Sequence, residues 1–462
     1  MNYLPGGLRV RDLPENIDEL FTSESLWQSW LDVEAALALA QGELGMIPAH
    51  CAARIAAQCR LAGFDLPALK ADIALTMAPV LSLTHALAGL CGPEAGGYVH
   101  WGATTQNVMM TGRLLQLRKA HALLLRRLAQ VLEALGDLAS RGAGQVTVGR
   151  TNRKHALPIT FGFKAATWID EMLRCVQRLR EVEPRTFRLV FGGAIGAMQS
   201  FGAQGPALAR NLAARLGLRD SLVHSRNTLD SMSEYVLALA LFGMACSRIG
   251  KELYILMTEE IDEVEEALGP GVIGSSTMPQ KNNPKHVVAL LARAARLRAM
   301  AAPALEAGQP SHEGDAASNQ LIAELVDQSA ILAYDLARRL DWLLRNLRLK
   351  PENMLRNLKL SADVVASENL MLLLAQGMGR QAAHDLVHEL IARHKQAGTP
   401  VLELLLRHPA VAGRYDAEQL RHALDPAHYT GLSTEIALAA TDQARHDAAA
   451  IRDAFPQAPC PA

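Results

Sequence analysis

Little in this chain of 462 residues favours one charge sign, and few of its residues are aromatic. Lys and Arg total 46 against 47 Asp and Glu, a formal charge of −1, so nothing marks a nucleic-acid binder. The six cysteines, Cys51, Cys59, Cys91, Cys175, Cys246 and Cys460, are scattered and form no CxxC pair. Idle or buried thiols in a reducing compartment are expected, not a disulfide framework. No group of His, Cys and carboxylate residues has metal-ligand spacing, so no metal is expected. No glycine-rich fingerprint lies between a strand and a helix, and no cofactor of any kind is expected. The opening residues MNYLPGGLRV lack the pattern of a signal peptide. The longest apolar run, Tyr235 to Cys246, is too short to cross a bilayer. The expectation is a soluble, cytoplasmic protein with neither membrane nor nucleic acid as a partner.

Strand signals are equally scarce, and Ala, Leu, Arg and Glu dominate, which favours helices. Within residues 112–141, Leu117, Leu124, Leu128, Val131, Leu135 and Leu138 recur at helical spacings, with Arg118, Arg126, Arg127 and Glu133 on other faces. Ser233 to Leu268 contains no proline and predicts one very long helix, capped by Ser231 or Ser233. Lys285 to Met300 and Ala316 to Leu347 repeat the theme. The fold class is therefore all-α, with long helices packed as a central bundle. Punctuation divides the chain into an N-terminal helical domain at 1–111, the bundle at 112–360 and a C-terminal helical domain at 361–462 that ends in a Pro-rich tail.

Four polar segments interrupt the helical pattern. They are HWGATTQN from His100 to Asn107, GRTNRKHALP from Gly149 to Pro158, GGAIG from Gly192 to Gly196, and GSSTMPQKNNP from Gly274 to Pro284 within a loop at 271–285. Each is a poor helix interior. Together they offer hydroxyls, amides, backbone N–H groups and the cations Arg150, Lys154 and Lys281, the donors that cradle an anion. A small molecule bearing two or three carboxylates is the natural guest.

GSSTMPQKNNP matches the GSSxMPxKxNP signature of the fumarase/aspartase superfamily. HWGATTQN resembles its HxGxTSxD segment, GRTNRKHALP its GRTxxxHAxP segment, and FGGAIGAM its Gly-rich stretch. The motifs stand in the family order, and the branch resembled is that of 3-carboxy-cis,cis-muconate cycloisomerase and adenylosuccinate-lyase-like proteins. LDPAHYTG near the C-terminus also resembles the cycloisomerase tail. The resemblance implies a homotetramer with a twenty-helix core and active sites shared by three subunits. It implies anti β-elimination or the reverse addition on a succinate-like substrate, through an aci-carboxylate carbanion. Ser275 would be the base, with Lys281 and Asn283 stabilising the intermediate. Substrate contacts would come from His100, Thr104, Thr105, Gln106, Asn107, Arg150, Thr151, Asn152, His155, Ser276 and Met278.

This chain departs from the family pattern in ways that bear on the substrate. Many members pair a histidine at the position of Asn152 with a glutamate thirteen residues after the serine base; here the second position is Val288. Without that proton relay, a leaving group that departs as a stable anion is favoured, such as a carboxylate or nitrite. A C–N lyase releasing fumarate from an N-substituted aspartate would need its proton from His155, Lys154 or a protonated substrate nitrogen, and a non-catalytic structural descendant is the third reading. Adenylosuccinate lyase itself fits poorly. Pro79 stands where that enzyme has a nucleotide-contacting histidine, HERD reads HEGD with Gly314, and the residues after it read AASNQLIAE. Against a cycloisomerase, Asn107 replaces an aspartate, Asn282 replaces a signature arginine, and the arginine-rich segment near Asn227 to Asp230 is not reproduced.

Overall fold

The computed structural model describes residues 13–14, 16–269 and 271–455; Cys460 and the Pro-rich tail lie outside them. The long helices relevant to the site are α1 (Ser23–Glu43), α2 (Thr105–Gly142), α3 (Phe161–Thr186), α4 (Asp230–Leu256), α5 (His286–Ala299), α6 (Ala316–Arg345) and α7 (Ser433–Ala454). The six apolar positions of the 112–141 pattern are all buried, because they form the stripe of α2 that faces α3, α6 and α7. α4 is long and apolar enough to cross a membrane by length and composition, but 72% of its most apolar window is buried by its neighbours. It is thus a core helix of the bundle. The five described cysteines are free and buried.

One continuous core joins residues 17–347 to Met354 and the inner face of α7. A second core, from Leu370 to Leu424, belongs to the shorter C-terminal helices. The fold is all-α apart from two small antiparallel sheets. β1 (Val146–Thr151) and β2 (Lys154–Thr160) form a hairpin between α2 and α3, with an irregularity between Val148 and Arg150. β3 (Val264–Glu266) pairs with β4 (Leu347–Leu349).

The expected single helix over Ser233–Leu268 is corrected by this second sheet. α4 ends at Leu256, Asp262 takes a left-handed backbone (φ 47°), and the chain turns into β3. The carboxylates of Glu259, Glu260 and Asp262 follow the negative end of α4, where a further helical turn is disfavoured. The expected caps are corrected too. α4 has Leu229 at its N-cap, without a side-chain bond. Ser233 is instead buried, its hydroxyl donating to the Ala304 carbonyl at 2.6 Å.

β3 fixes where the loop before α5 ends. The buried carboxylate of Glu266 accepts N–H bonds from Lys285 (2.9 Å), His286 (3.0 Å) and Val287 (2.6 Å), the first turn of α5. These are orphan donors of a helix start, and the charge complements the helix dipole. Removing it in Glu266→Ala leaves buried N–H groups unpaired and is expected to cost about 2–4 kcal/mol. Urea denaturation checks this, with Glu265→Ala, on the same strand but outside this cap, expected to cost under about 1 kcal/mol.

Candidate active site

The GRTNRKHALP segment is a β-hairpin. Its two-residue turn consists of Asn152 (φ 50°) and Arg153 (φ 63°). Two successive left-handed residues suit the right-handed twist of a tight hairpin, and asparagine tolerates that backbone well. Asn152 and Thr151 are exposed at the tip. Behind the tip, Arg150 and His155 face each other across the register.

Arg150 is tied down. Its guanidinium holds both oxygens of Glu263, at 2.5 and 3.2 Å, and Glu263 is fully buried. That carboxylate also accepts from Thr147 Oγ (3.2 Å) and Asn357 Nδ2 (2.9 Å). His155 Nδ1 lies 2.8 Å from Ser361 Oγ. Burial, and then the charge of Arg150, hold its pKa below the ordinary histidine value. That direction favours the neutral imidazole, a better proton acceptor than donor. A cavity of about 1070 Å³ opens here, lined by His155 and the cations Arg150, Arg153, Lys164, Arg248 and Lys251.

The signature loop folds on itself. Gly274 passes so close to the returning chain that a Cβ there would meet the Lys281 carbonyl oxygen at 2.7 Å. Asn283 Nδ2 donates to the Gly274 carbonyl at 3.2 Å. Within this closed turn, Ser275 Oγ accepts N–H bonds from Met278 (3.1 Å) and Thr277 (3.4 Å). Hydrogen bonds of this kind favour the ionised form of an oxygen, which is what a hydroxyl needs to act as a base. Ser276, Met278 and Lys281 are exposed. Met278, Lys281 and Asn283 border a cavity of about 650 Å³, whose other walls include Asp262 and Glu265, paired with Lys350 at 2.8 and 2.7 Å.

HWGATTQN forms the turn into α2. Thr104 is its N-cap residue without a side-chain bond, and Thr105 is exposed. His100, left-handed at φ 59°, places Nδ1 2.6 Å from Glu34 Oε1, on α1. Burial opposes protonation of His100, but the hydrogen bond and charge of Glu34, itself buried, raise its pKa overall. Asn107 is buried and accepts from the Gly193 N–H at 2.9 Å, so it positions the GGAIG segment. Gln106 and Asn107 line a third cavity, of about 280 Å³.

Eight of the fourteen predicted residues line these cavities: Arg150, Thr151 and His155 the first, Met278, Lys281 and Asn283 the second, Gln106 and Asn107 the third. Ser275 lines none of the three, and Asn107 joins the HWGATTQN and GGAIG segments. Sequence reasoning missed Glu34, Glu263, Glu266 and Ser361, the groups that hold the motif residues in place. The run EEIDEVEEALGP reads as a solvated helical face, and only its pairing with β4 reveals which carboxylates turn inward. The fold also brings His50 Nε2, Cys51 Sγ and a carboxylate oxygen of Glu94 within 4.8 Å of one another, a trio that sequence spacing did not suggest.

A family model described as "Lyase" matches residues 11–298, and one described as "Adenylosuccinate lyase C-terminus" matches residues 363–439. The chain belongs to the fumarase/aspartase superfamily of lyases. It is 36% identical to an N-acetyl-S-(2-succino)cysteine lyase of Enterococcus italicus, over 90% of this chain and 91% of the relative. It is 35% identical to the 3-carboxy-cis,cis-muconate cycloisomerase of Pseudomonas aeruginosa, over 89% and 90%. Its fold matches the crystal structure of a fumarate lyase from Mesorhizobium sp. BNC1 with a TM-score of 0.85 at 33% identity, covering 92% of this chain and 97% of that one. This lyase is therefore an enzyme of a superfamily whose members catalyse elimination or cycloisomerisation.

In this lyase the Arg150–Glu263 pair tests structure against substrate contact. Arg150→Met leaves a buried charge unpaired and is expected to cost about 3–5 kcal/mol of stability. Adding Glu263→Gln is expected to recover part of that loss in thermal and urea unfolding, which no lost substrate contact would allow.

Proposed function

We propose that this lyase performs anti β-elimination on a 2-substituted succinate, releasing its leaving group as a stable anion. Ser275, as its alkoxide, takes the proton from the carbon next to one carboxylate. The electron pair moves into that carboxylate to give the aci-carboxylate dianion. Collapse forms the carbon–carbon double bond and breaks the bond from the neighbouring carbon to the leaving group, which departs with its electron pair. The proton on Ser275 then returns to solvent. Lys281, Asn283 and backbone N–H groups of the loop would stabilise the dianion, with about 3 kcal/mol attributable to one well-placed donor.

The observation that carries this reading is the pair of N–H bonds to Ser275 Oγ inside a closed loop that also carries Lys281. The leaving-group argument rests on the hairpin. Asn152 sits where a proton relay would have its histidine, and His155 is held below its ordinary pKa, which makes a ready acid for an amine leaving group less available. Carboxylates, with pKa near 4, and thiols, near 8.5, leave without prior protonation far more easily than amines. The name of the Enterococcus italicus relative specifies a succinyl thioether. By similarity, a thiolate joins the carboxylate and nitrite as a candidate leaving group, and we favour it.

The proposed working unit is a homotetramer in which three chains complete each site. The spread of Gln106, Arg150 and Lys281 over three cavities supports it, as do the exposed apolar residues Leu241, Met244, Tyr254 and Ile255 of α4.

Two experiments test these readings. Wild type and Ser275→Ala are assayed at 240 nm with S-(2-succino)-N-acetylcysteine, 3-carboxymuconate, nitrosuccinate and adenylosuccinate, with products identified by mass spectrometry. Turnover of a compound with a good leaving group, reduced at least ~10²-fold in the variant, is expected; turnover of adenylosuccinate alone would sink the leaving-group argument. Second, Ser275→Ala and His155→Ala, each expected to be inactive alone, the latter through loss of a substrate contact, are mixed and reassembled. Recovered activity is expected, because hybrid tetramers contain some intact sites. A fully active single chain in light scattering would refute the shared site.

A further inference from the structure

The third cavity contains a cation that the motif comparison does not assign. Arg226 lies in the loop between the 205–216 helix and α4, and it lines this cavity together with Gln106 and Asn107. One of its five N–H donors is used: Nη1 donates to the Ala194 carbonyl, in the GGAIG segment, at 2.8 Å. Its Nε is buried without a hydrogen-bond partner. Among the described residues no carboxylate pairs with it, whereas its neighbour Arg185 is held by Glu234 at 2.6 Å. A guanidinium in this state is an anion site with unused donors, and the planar fork suits a carboxylate.

Its position is built from two other loops. A Cβ at Gly314 would stand 3.1–3.3 Å from the guanidinium atoms of Arg226. Asn227, the next residue, donates through Nδ2 to the His312 carbonyl and accepts from Ser225 Oγ. The HEGD segment therefore lies flat against Arg226. A side chain at position 314 would crowd this guanidinium.

We infer that Arg226 is a specificity-determining residue, which binds a carboxylate on the substrate beyond its succinyl unit. This rests on the elimination reading above, and it adds that the preferred substrate is a tricarboxylate-type molecule rather than a bare succinate derivative.

The test compares binding and turnover. By calorimetry, wild type is expected to bind tricarballylate at least ~10-fold more tightly than succinate, the range for one charge-assisted contact. Arg226→Met should abolish that difference while leaving succinate binding unchanged. Arg226→Lys, which keeps the charge without the fork, should retain part of it. Gly314→Ala, which crowds the guanidinium but leaves it present, should weaken tricarballylate binding less than Arg226→Met does. Equal binding of the two acids by wild type would overturn the proposal. So would an equal loss of both in Arg226→Met, since that indicates a structural role. For turnover, S-(2-succino)-N-acetylcysteine is compared with S-(2-succino)-N-acetylcysteamine, the same thioether without the extra carboxylate. Arg226→Met is expected to raise KM at least ~10-fold for the first only, with kcat little changed. An unchanged KM for the first would likewise overturn it. If wild type turns over neither thioether while the calorimetric contrast holds, the thioether reading fails and the role of Arg226 stands.

Discussion

Two buried carboxylates, three residues apart, set the geometry of the non-helical parts of this enzyme. Glu263 immediately precedes a strand of three residues and Glu266 is its last residue. Taking each charge out of water costs several kcal/mol, and such groups persist only where donors surround them. Glu263 gathers the hairpin through Arg150 and Thr147, and the 351–359 helix through Asn357. Glu266 gathers the start of α5, and hence the end of the signature loop. Helix packing alone specifies nothing about a loop. These polar contacts do, because each is satisfied in only one arrangement of the pieces. The hairpin bearing His155 and the loop bearing Ser275 are therefore referred to one short strand.

This constraint explains which parts of the structure were legible in the sequence. The stripe Leu117–Leu138 predicted α2 because one-dimensional periodicity reports directly on which face is buried. The four polar segments were legible as interruptions in that periodicity. The end of α4 was not. No proline or glycine between Met257 and Leu268 marks the break, acidic residues there are only a weak stop, and the turn into β3 depends on partners about 80 or more residues distant: Leu347–Leu349 for the strand and Asn357 for Glu263. Ser361 beside His155 and Glu34 beside His100 were hidden for the same reason. A motif names a candidate for substrate contact, whereas the residue that orients it comes from wherever the fold passes by.

The chain is close to neutral overall, yet its charges are not evenly spent. Carboxylates near the motifs, Glu34, Glu263 and Glu266, are buried and engaged. Several cations are not. Among the described residues, Arg153, Lys154, Lys281 and Arg226 form no ion pair, and each lies in or beside a motif segment. Pairing the acids inside while leaving these bases unpaired creates local positive potential without a basic net charge. That is the electrostatic requirement of the proposed dianionic intermediate, and it is why bulk composition was silent about it.

Asn152 shows how a departure from a motif can be read in two ways that agree. Locally, it is one of two left-handed residues in a hairpin turn, a backbone that asparagine adopts more readily than most residues. Chemically, its amide cannot shuttle a proton. A histidine tolerates this backbone as well, as His100 does at φ 59°, so the turn does not by itself forbid one. The turn therefore does not account for the loss of the relay, which falls together with the apolar Val288 at the partner position. Under the proposed elimination, the absence of both relay groups, with no backbone reason at the first, fits a relaxed demand for a proton at the leaving group. A thiolate or carboxylate that departs unaided relaxes that demand, and an amine does not.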